Sequence, residues 1–198
     1  NGPEGGVQGR CRHVLRLGAG PLMRRAAQTG IQMMANEFVM AADIDGALRK
    51  AKKWQAQGHC FSYDILGEGA RTMADAERYM QGYLHAIARL GAAREGEDRP
   101  SISVKLSALH PRYSDPQRER VMAELVPRLT TLALCARDCG IALTIDAEEA
   151  ARFDLALDVF EAVYRNSALQ GWQGFGLAVQ AYQKRAPFLI DYLAELAG

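Results

Sequence analysis

The chain has 198 residues, 48% of them apolar and 24% charged, with a formal net charge of +1. That length allows one sizeable core, and the charge balance gives no reason to expect a polyanion partner, so no nucleic acid is expected for this segment. The longest apolar runs fall far short of the ~20 residues of a membrane helix, and the opening NGPEGGVQGR has no apolar segment of the signal-peptide kind.

Residues 1–19, rich in Gly and Arg, read as a flexible lead-in. A helical arm is expected over 20–58. Its first helix, 21–38, carries Leu22, Ala26, Ile31, Met34 and Phe38 near helical spacing. Its second, 43–57, has Asp43 as a cap and Gly58 as a stop. A repeating pattern then begins. HCFSYDIL (59–66) is extended, and a helix follows at about 72–91 with Met80, Leu84, Ile87 and Leu90 on one face. A loop leads to a strand at 101–107. Pro116 opens a helix reaching about 138, which Pro127 is expected to kink or divide. Gly140 ends that helix before a strand at 141–146. A helix at about 150–165 presents Phe153, Leu157, Phe160 and Tyr164, and a last strand (174–180) precedes a last helix (184–197). Strand and helix alternate four times, which indicates a parallel sheet with helical crossovers.

The strand period of two sorts side chains onto two faces. Ile102, Val104 and Leu106 oppose Ser101, Ser103, Lys105 and Ser107. Ile141, Leu143 and Ile145 oppose Ala142, Thr144 and Asp146. Phe175, Leu177 and Val179 oppose Gly174, Gly176, Ala178 and Gln180. In a doubly wound sheet both faces meet helices and should be bulky; here one face is lean. The pattern therefore predicts an α/β fold of barrel type, with about four βα units of a partial (β/α)8 TIM-type barrel preceded by amino-terminal helices. Chemistry in such barrels gathers at the carboxyl ends of the strands, where Lys105, Asp146 and Gln180 fall together on the lean side.

An ammonium inside a strand is costly unless paired. Lys105 has three readings: an ion pair with Asp146 or Glu68, capture of a substrate carboxylate, or a Schiff-base nucleophile. Asp146 is either a site residue or a cap for the helix at 150–165. The Gln180 amide can bond a heterocycle or loop backbone. Glu68 suits a helix start. His110, held extended before Pro111, reads as loop-stabilising, and Tyr182, Lys184 and Arg185 as loop and surface residues. Of Cys11, Cys60, Cys135 and Cys139, none forms a CxxC pair. Cys135 and Cys139, one turn apart, read as small half-buried helix residues rather than metal ligands. The thiols fit a reduced, cytoplasmic protein. GxGxxG, P-loop and HExxH motifs are absent.

FSYDILGEGA (61–70), SISVKLSALHPRYS (101–114), TIDAEEA (144–150) and GFGLAVQAYQKRAPFLIDYL (174–193) resemble, in order and spacing, the proline dehydrogenase domain of bacterial proline utilization A proteins. The resemblance covers roughly residues 20–198. It implies a distorted (β/α) barrel holding FAD non-covalently and oxidising L-proline to 1-pyrroline-5-carboxylate. Electrons would go to a membrane quinone, as the first step of proline catabolism to glutamate. It further implies that Lys105 contacts the proline carboxylate and that Asp146 lines the proline and flavin pocket. Gln180 would bond the flavin ring, with Ala147, Ala178 and Tyr182 beside the cofactor, and Glu68 would pair with a gating arginine. The family's pattern continues beyond the last helix with further basic flavin and proline contacts. Residues 59–198 are accordingly expected to form the first half of the barrel, an incomplete fragment of little activity by itself. The alternatives are a Schiff-base lyase using Lys105 and a non-catalytic half-barrel that pairs with a partner or second copy. Peripheral contact with the inner membrane and oligomerisation are compatible with the parent protein.

Overall fold

A computed structural model describes residues 24, 25, 27, 30, 39–67, 69–94 and 99–198. The expected lead-in at 1–19 and most of the expected helix at 21–38 lie outside the described residues. The chain forms two compact units, 1–50 and 51–198. In the first unit, Asp43 accepts a hydrogen bond from Gly46 N at 2.6 Å, the bond expected of a helix cap. Helix α1 spans Ile44–Gln55 and is followed by a turn in which Gly58 takes φ +86°.

The second unit repeats one theme. Strand β1 (Ser62–Asp64) is followed by helix α2 (Met73–Ala92) and strand β2 (Ser101–Val104). A four-residue helix α3 (Leu106–Leu109) and the long helix α4 (Arg118–Asp138) lead to β3 (Ala142–Ile145). Helix α5 (Phe153–Tyr164), β4 (Phe175–Leu177) and helix α6 (Ala186–Ala197) complete the chain. The strands lie in the order β1-β2-β3-β4, and each neighbouring pair is parallel. A sequential order without reversal puts the helices on one face when every crossover takes the right hand usual for parallel strands. This is a singly wound sheet of the barrel type.

Register explains the two faces. Asp64, Ser103, Thr144 and Gly176 are aligned across the four strands, as are Tyr63, Ile102, Leu143 and Phe175. The first row is lean and only half-buried, apart from Asp64, which is exposed. The second packs beneath the helices, and Ile102, Val104, Leu143 and Ile145 are wholly inaccessible. Ile87 and Leu90 of α2, Leu125, Leu129 and Leu132 of α4, and Leu155, Val159 and Val163 of α5 close over them. Burial on this scale is the main stabilising term of the unit, worth roughly 1.5–3 kcal/mol per large aliphatic side chain.

Four local expectations are corrected. Strand 101–107 stops at Val104, because Lys105 turns the chain into α3 and buries Leu106 and Ser107 there. Strand 174–180 is limited to Phe175–Leu177. Pro127 does not divide α4, which runs unbroken through it. The side of α5 fully buried along its length is Leu155, Val159 and Val163 rather than the stripe Phe153, Leu157, Phe160 and Tyr164. Both stripes are apolar. The branched one lies on the sheet, whereas the aromatic one turns sideways: Phe160 stacks on Phe175 at 5.1 Å, and Phe153 lies under Arg185 at 4.6 Å.

Helix α2 starts on a capping box in which Thr72 Oγ1 accepts from Asp75 N and Asp75 Oδ2 accepts from Thr72 N. Near its end, Gly91 meets α4 so closely that a methyl group there would lie 2.7 Å from Cys139 Cβ. Cys135 and Cys139 are half-buried, as their helical spacing suggests.

Candidate active site

Three chain segments leave the sheet at its carboxyl rim, and each brings one charge. β1 ends with Asp64, β2 is followed by Lys105, and β3 is followed by Asp146, whose N–H still bonds Val104 O at 3.0 Å. The parity that makes the lean face therefore turns all three side chains toward one point. Lys105 Nζ lies 2.7 and 2.8 Å from the two Asp64 carboxylate oxygens and 2.8 Å from Asp146 Oδ2. The Lys105 side chain is 13% exposed, Asp146 23% and Asp64 45%, so the cluster opens to solvent on the β1 side.

Burial alone would lower the Lys105 pKa, but the hydrogen bonds and charges of Asp146 and Asp64 outweigh it and hold the ammonium above the ordinary lysine value of 10.5. Its three N–H bonds are directed at carboxylates. The group is a fixed cation at neutral pH rather than an amine nucleophile, which weighs against Schiff-base chemistry. Beneath it, Tyr83 of α2 is completely buried, and its hydroxyl accepts Lys105 N–H at 3.2 Å. Burial pushes the Tyr83 phenol up to about 12.

A second polar group ties neighbouring rim loops together. Ser107 N donates to Glu148 Oε1 at 3.0 Å, and Ser107 in turn receives Gly69 N on Oγ and Ala70 N on its carbonyl. Gln180 Nε2 donates to Glu148 O at 3.4 Å, and Gln183 Nε2 donates to Gln180 Oε1. Arg152 pairs with Glu148 at 3.2 Å and lies over the buried Tyr113 ring at 5.4 Å. Burial first, and then Glu148, raises the Tyr113 phenol above its usual range. Beside this belt is a cavity of about 30 Å³ whose lining includes Asp146, Ala147, Glu148, Ala178, Gln180 and Gln183. It has room for about one or two waters.

The structure thus brings together Lys105 and Asp146, and groups Asp146, Ala147, Ala178 and Gln180 around one cavity. Tyr182 is 81% exposed and apart from that cavity, and Glu68 lies outside the described residues. Asp146 caps no helix; its carboxylate takes Lys105. His110 is buried, with Nε2 at 3.0 Å from Glu124 and Nδ1 accepting Arg112 N–H, which is the loop-stabilising role. Sequence reasoning missed Asp64, Tyr83 and Glu148. The alternation in Ser62-Tyr63-Asp64 carries the signal for Asp64, since it puts Ser62 and Asp64 on the lean side. Nothing local marks Tyr83, which looks like one more core residue of an amphipathic helix.

The family model described as proline dehydrogenase matches residues 47–198. The chain belongs to the proline dehydrogenase family. It is 48% identical over 180 residues to the bifunctional protein PutA of Klebsiella aerogenes, covering 89% of this chain and 14% of that protein. It is 26% identical over 165 residues to proline dehydrogenase 1 of Bacillus subtilis, covering 83% of this chain and 50% of the relative. Among solved structures, proline utilization A of Bradyrhizobium japonicum superposes with a TM-score of 0.74 at 50% identity, over 94% of this chain and 19% of that one. Proline utilization A of Bdellovibrio bacteriovorus, inactivated by N-propargylglycine, gives 0.83 at 25% identity, over 89% of this chain and 20% of that one. The chain therefore spans about a seventh of the PutA relative and half of the shorter one.

The rim suits the ring end of a flavin. The lean row leaves space along the face: even a methyl at Gly176 would meet its nearest neighbour, Thr144 Oγ1, at 3.6 Å. Ala147 and Ala178 offer a low wall, and the Gln180 amide, held through one donor and one acceptor, keeps a second N–H and a second lone pair for a heterocycle edge. Among the described residues, no cluster of three or more His, Cys, Asp or Glu side chains could hold a metal ion, and no helix is long and apolar enough to cross a membrane.

Proposed function

We propose that this chain contributes the substrate-binding rim of an FAD-dependent enzyme that oxidises L-proline to 1-pyrroline-5-carboxylate. The observation that carries the reading is the Lys105 ammonium fixed between Asp64 and Asp146 at the carboxyl rim, in a chain of this family. Proline is a zwitterion, and its carboxylate entering a partly dry site requires a cation. Lys105 supplies it. All three of its N–H groups face Asp64 and Asp146 beforehand, so the half-exposed Asp64 gives up its contact when the substrate carboxylate enters, while Asp146 keeps the ammonium in place.

The reaction removes two electrons and two protons. The ring carbon beside nitrogen loses hydrogen, the nitrogen loses a proton, and a C=N bond forms. FAD, when bound, supplies the two-electron oxidising chemistry. Gln180 would hold the ring edge through its free amide N–H and carbonyl, and Asp146, Ala147 and Ala178 would line the cofactor's place. Tyr182, exposed on this chain, would lie close to the cofactor, and Glu68 would pair with a gating arginine. Electrons leave to a membrane quinone, with the protein cytoplasmic and peripheral at the inner membrane.

The test is anaerobic addition of L-proline to the purified, flavin-loaded full-length protein that carries this chain. Bleaching of the flavin band, followed by recovery on adding a soluble quinone, is the expected result. A protein that binds FAD but whose spectrum does not change with proline would overturn the assignment. Inactivation by N-propargylglycine, as in the Bdellovibrio bacteriovorus relative, is a second expected outcome.

A further inference from the structure

Both main-chain groups of a residue in a parallel strand point to the same side, and the side alternates along the chain. In β2, Ser101 N bonds Phe61 O on the β1 side, while Val104 O receives Asp146 N on the β3 side. By that parity Lys105 N–H points toward β1. But β1 ends at Asp64, and the Tyr83 hydroxyl, 3.2 Å away, stands where the next carbonyl of β1 would be. Strand β1 is thus free to part from β2 at the level where the Asp64 carboxylate turns across to Lys105 Nζ. The backbone donor it abandons is satisfied by a side chain from the helix layer.

We infer that Tyr83 is a positioning residue for the ammonium of Lys105: its hydroxyl pins the Lys105 main chain from the buried side, and so fixes where the cation stands between Asp64 and Asp146. Tyr83 is wholly inaccessible, so it touches neither substrate nor cofactor and acts through Lys105. An unanchored Lys105 backbone would retain the side chain's charge but lose its fixed origin. Misplacing a binding group in this way weakens substrate capture more than it alters the chemical step.

The inference rests on the proline-oxidising reading for its functional consequence, but not for its structural one, and the two are tested separately. Tyr83→Phe removes the hydroxyl and keeps the ring. In the full-length, flavin-loaded enzyme the variant should raise the KM for proline about tenfold and change kcat less than about threefold. Flavin content should stay at the wild-type level. Independently of activity, amide hydrogen exchange at Lys105 should be slow in the wild type and faster by at least about tenfold in Tyr83→Phe. Labelling of the Lys105 amine by an acylating reagent should accelerate in parallel. A wild-type Lys105 amide that exchanges as fast as a solvent-exposed one would overturn the inference even if the variant did not fold. So would a Tyr83→Phe enzyme with unchanged KM and unchanged Lys105 labelling. If wild-type enzyme shows no response to proline while Lys105 exchange behaves as expected, the functional reading fails and the anchoring role stands.

Discussion

At the carboxyl rim of the sheet, one cation and two anions converge within 2.8 Å contacts and remain partly open to solvent. At the amino end of β4 the chain does the opposite. There Phe160, Phe175 and Trp172 stack in sequence, with centroid separations of 5.1 and 6.4 Å, and Tyr164 extends the column from Phe160 at 5.7 Å. The aromatic end loses nothing by being rigid and apolar, and it adds roughly 0.5–1.5 kcal/mol per ring pair beyond its buried area. The rim carries the desolvation cost of three charges and returns little of it as stability. Stability and chemistry are thus assigned to opposite ends of the same strands, the division expected of barrel folds.

That division can be broken deliberately. The largest effect is expected from Phe160→Ala, which should cost about 3–5 kcal/mol in denaturant unfolding while leaving the KM for proline unchanged in the folded fraction. Lys105→Met keeps the apolar stem and deletes the charge. It should lower kcat/KM for proline on the order of 10²-fold and lower the thermal midpoint as well, since Asp64 and Asp146 are left facing each other without their cation. Equal damage to stability and to proline binding by both variants would mean that the two ends are not separate.

Alkaline pH should act on the rim through Tyr83 and Lys105. The Tyr83 phenol is raised from 10 to about 12 in the folded protein, so the folded state holds its proton more tightly than the unfolded chain. The stability associated with this group is complete below pH 10 and is lost as pH rises from 10 to about 12, by at most about 2–3 kcal/mol. Lys105, also raised, acts with the same sign, its contribution being intact below 10.5 and declining above. A fluorescence melt that declines between pH 10 and 12 checks this, and a curve flat to pH 12 would refute it. The smallest effect belongs to Asp64→Asn. With its carboxylate nearly half exposed, the loss should be under about 1 kcal/mol, yet the Lys105 titration followed by NMR should move downward because one of two opposing anions is gone.

Much of this arrangement was legible in the chain. The alternation Ser103-Val104-Lys105 and Thr144-Ile145-Asp146 is enough to put a cation and an anion on one face at one rim, since side-chain direction in a strand follows from parity alone. Asp43 and Gly58 mark helix ends through backbone chemistry that acts within a few residues. What escaped depends on contacts remote in sequence. Tyr83 reaches Lys105 across 22 positions. Asp64 reaches it across 41, and is announced by a strand only three residues long. Glu148 sits in an acidic run where nothing local distinguishes it from Glu149, yet Glu148 is the one that takes Ser107 N. The strand ends were misjudged at Lys105 and Ala178 because the loop hydrogen bonds that close each strand come from other segments. On α5 both stripes are apolar, so periodicity could not choose between them.

The contact of Gly91 with Cys139 bears on how this site tolerates genetic change. Helix α2 carries Gly91 two turns beyond Tyr83, and the missing side chain lets its backbone press against the end of α4. A single added carbon at that spot would have to wedge the pair apart and shift the phenol with it. In a random mutant library, lesions that abolish proline turnover should therefore include an inconspicuous helix glycine that meets neither substrate nor cofactor, alongside the charged trio itself.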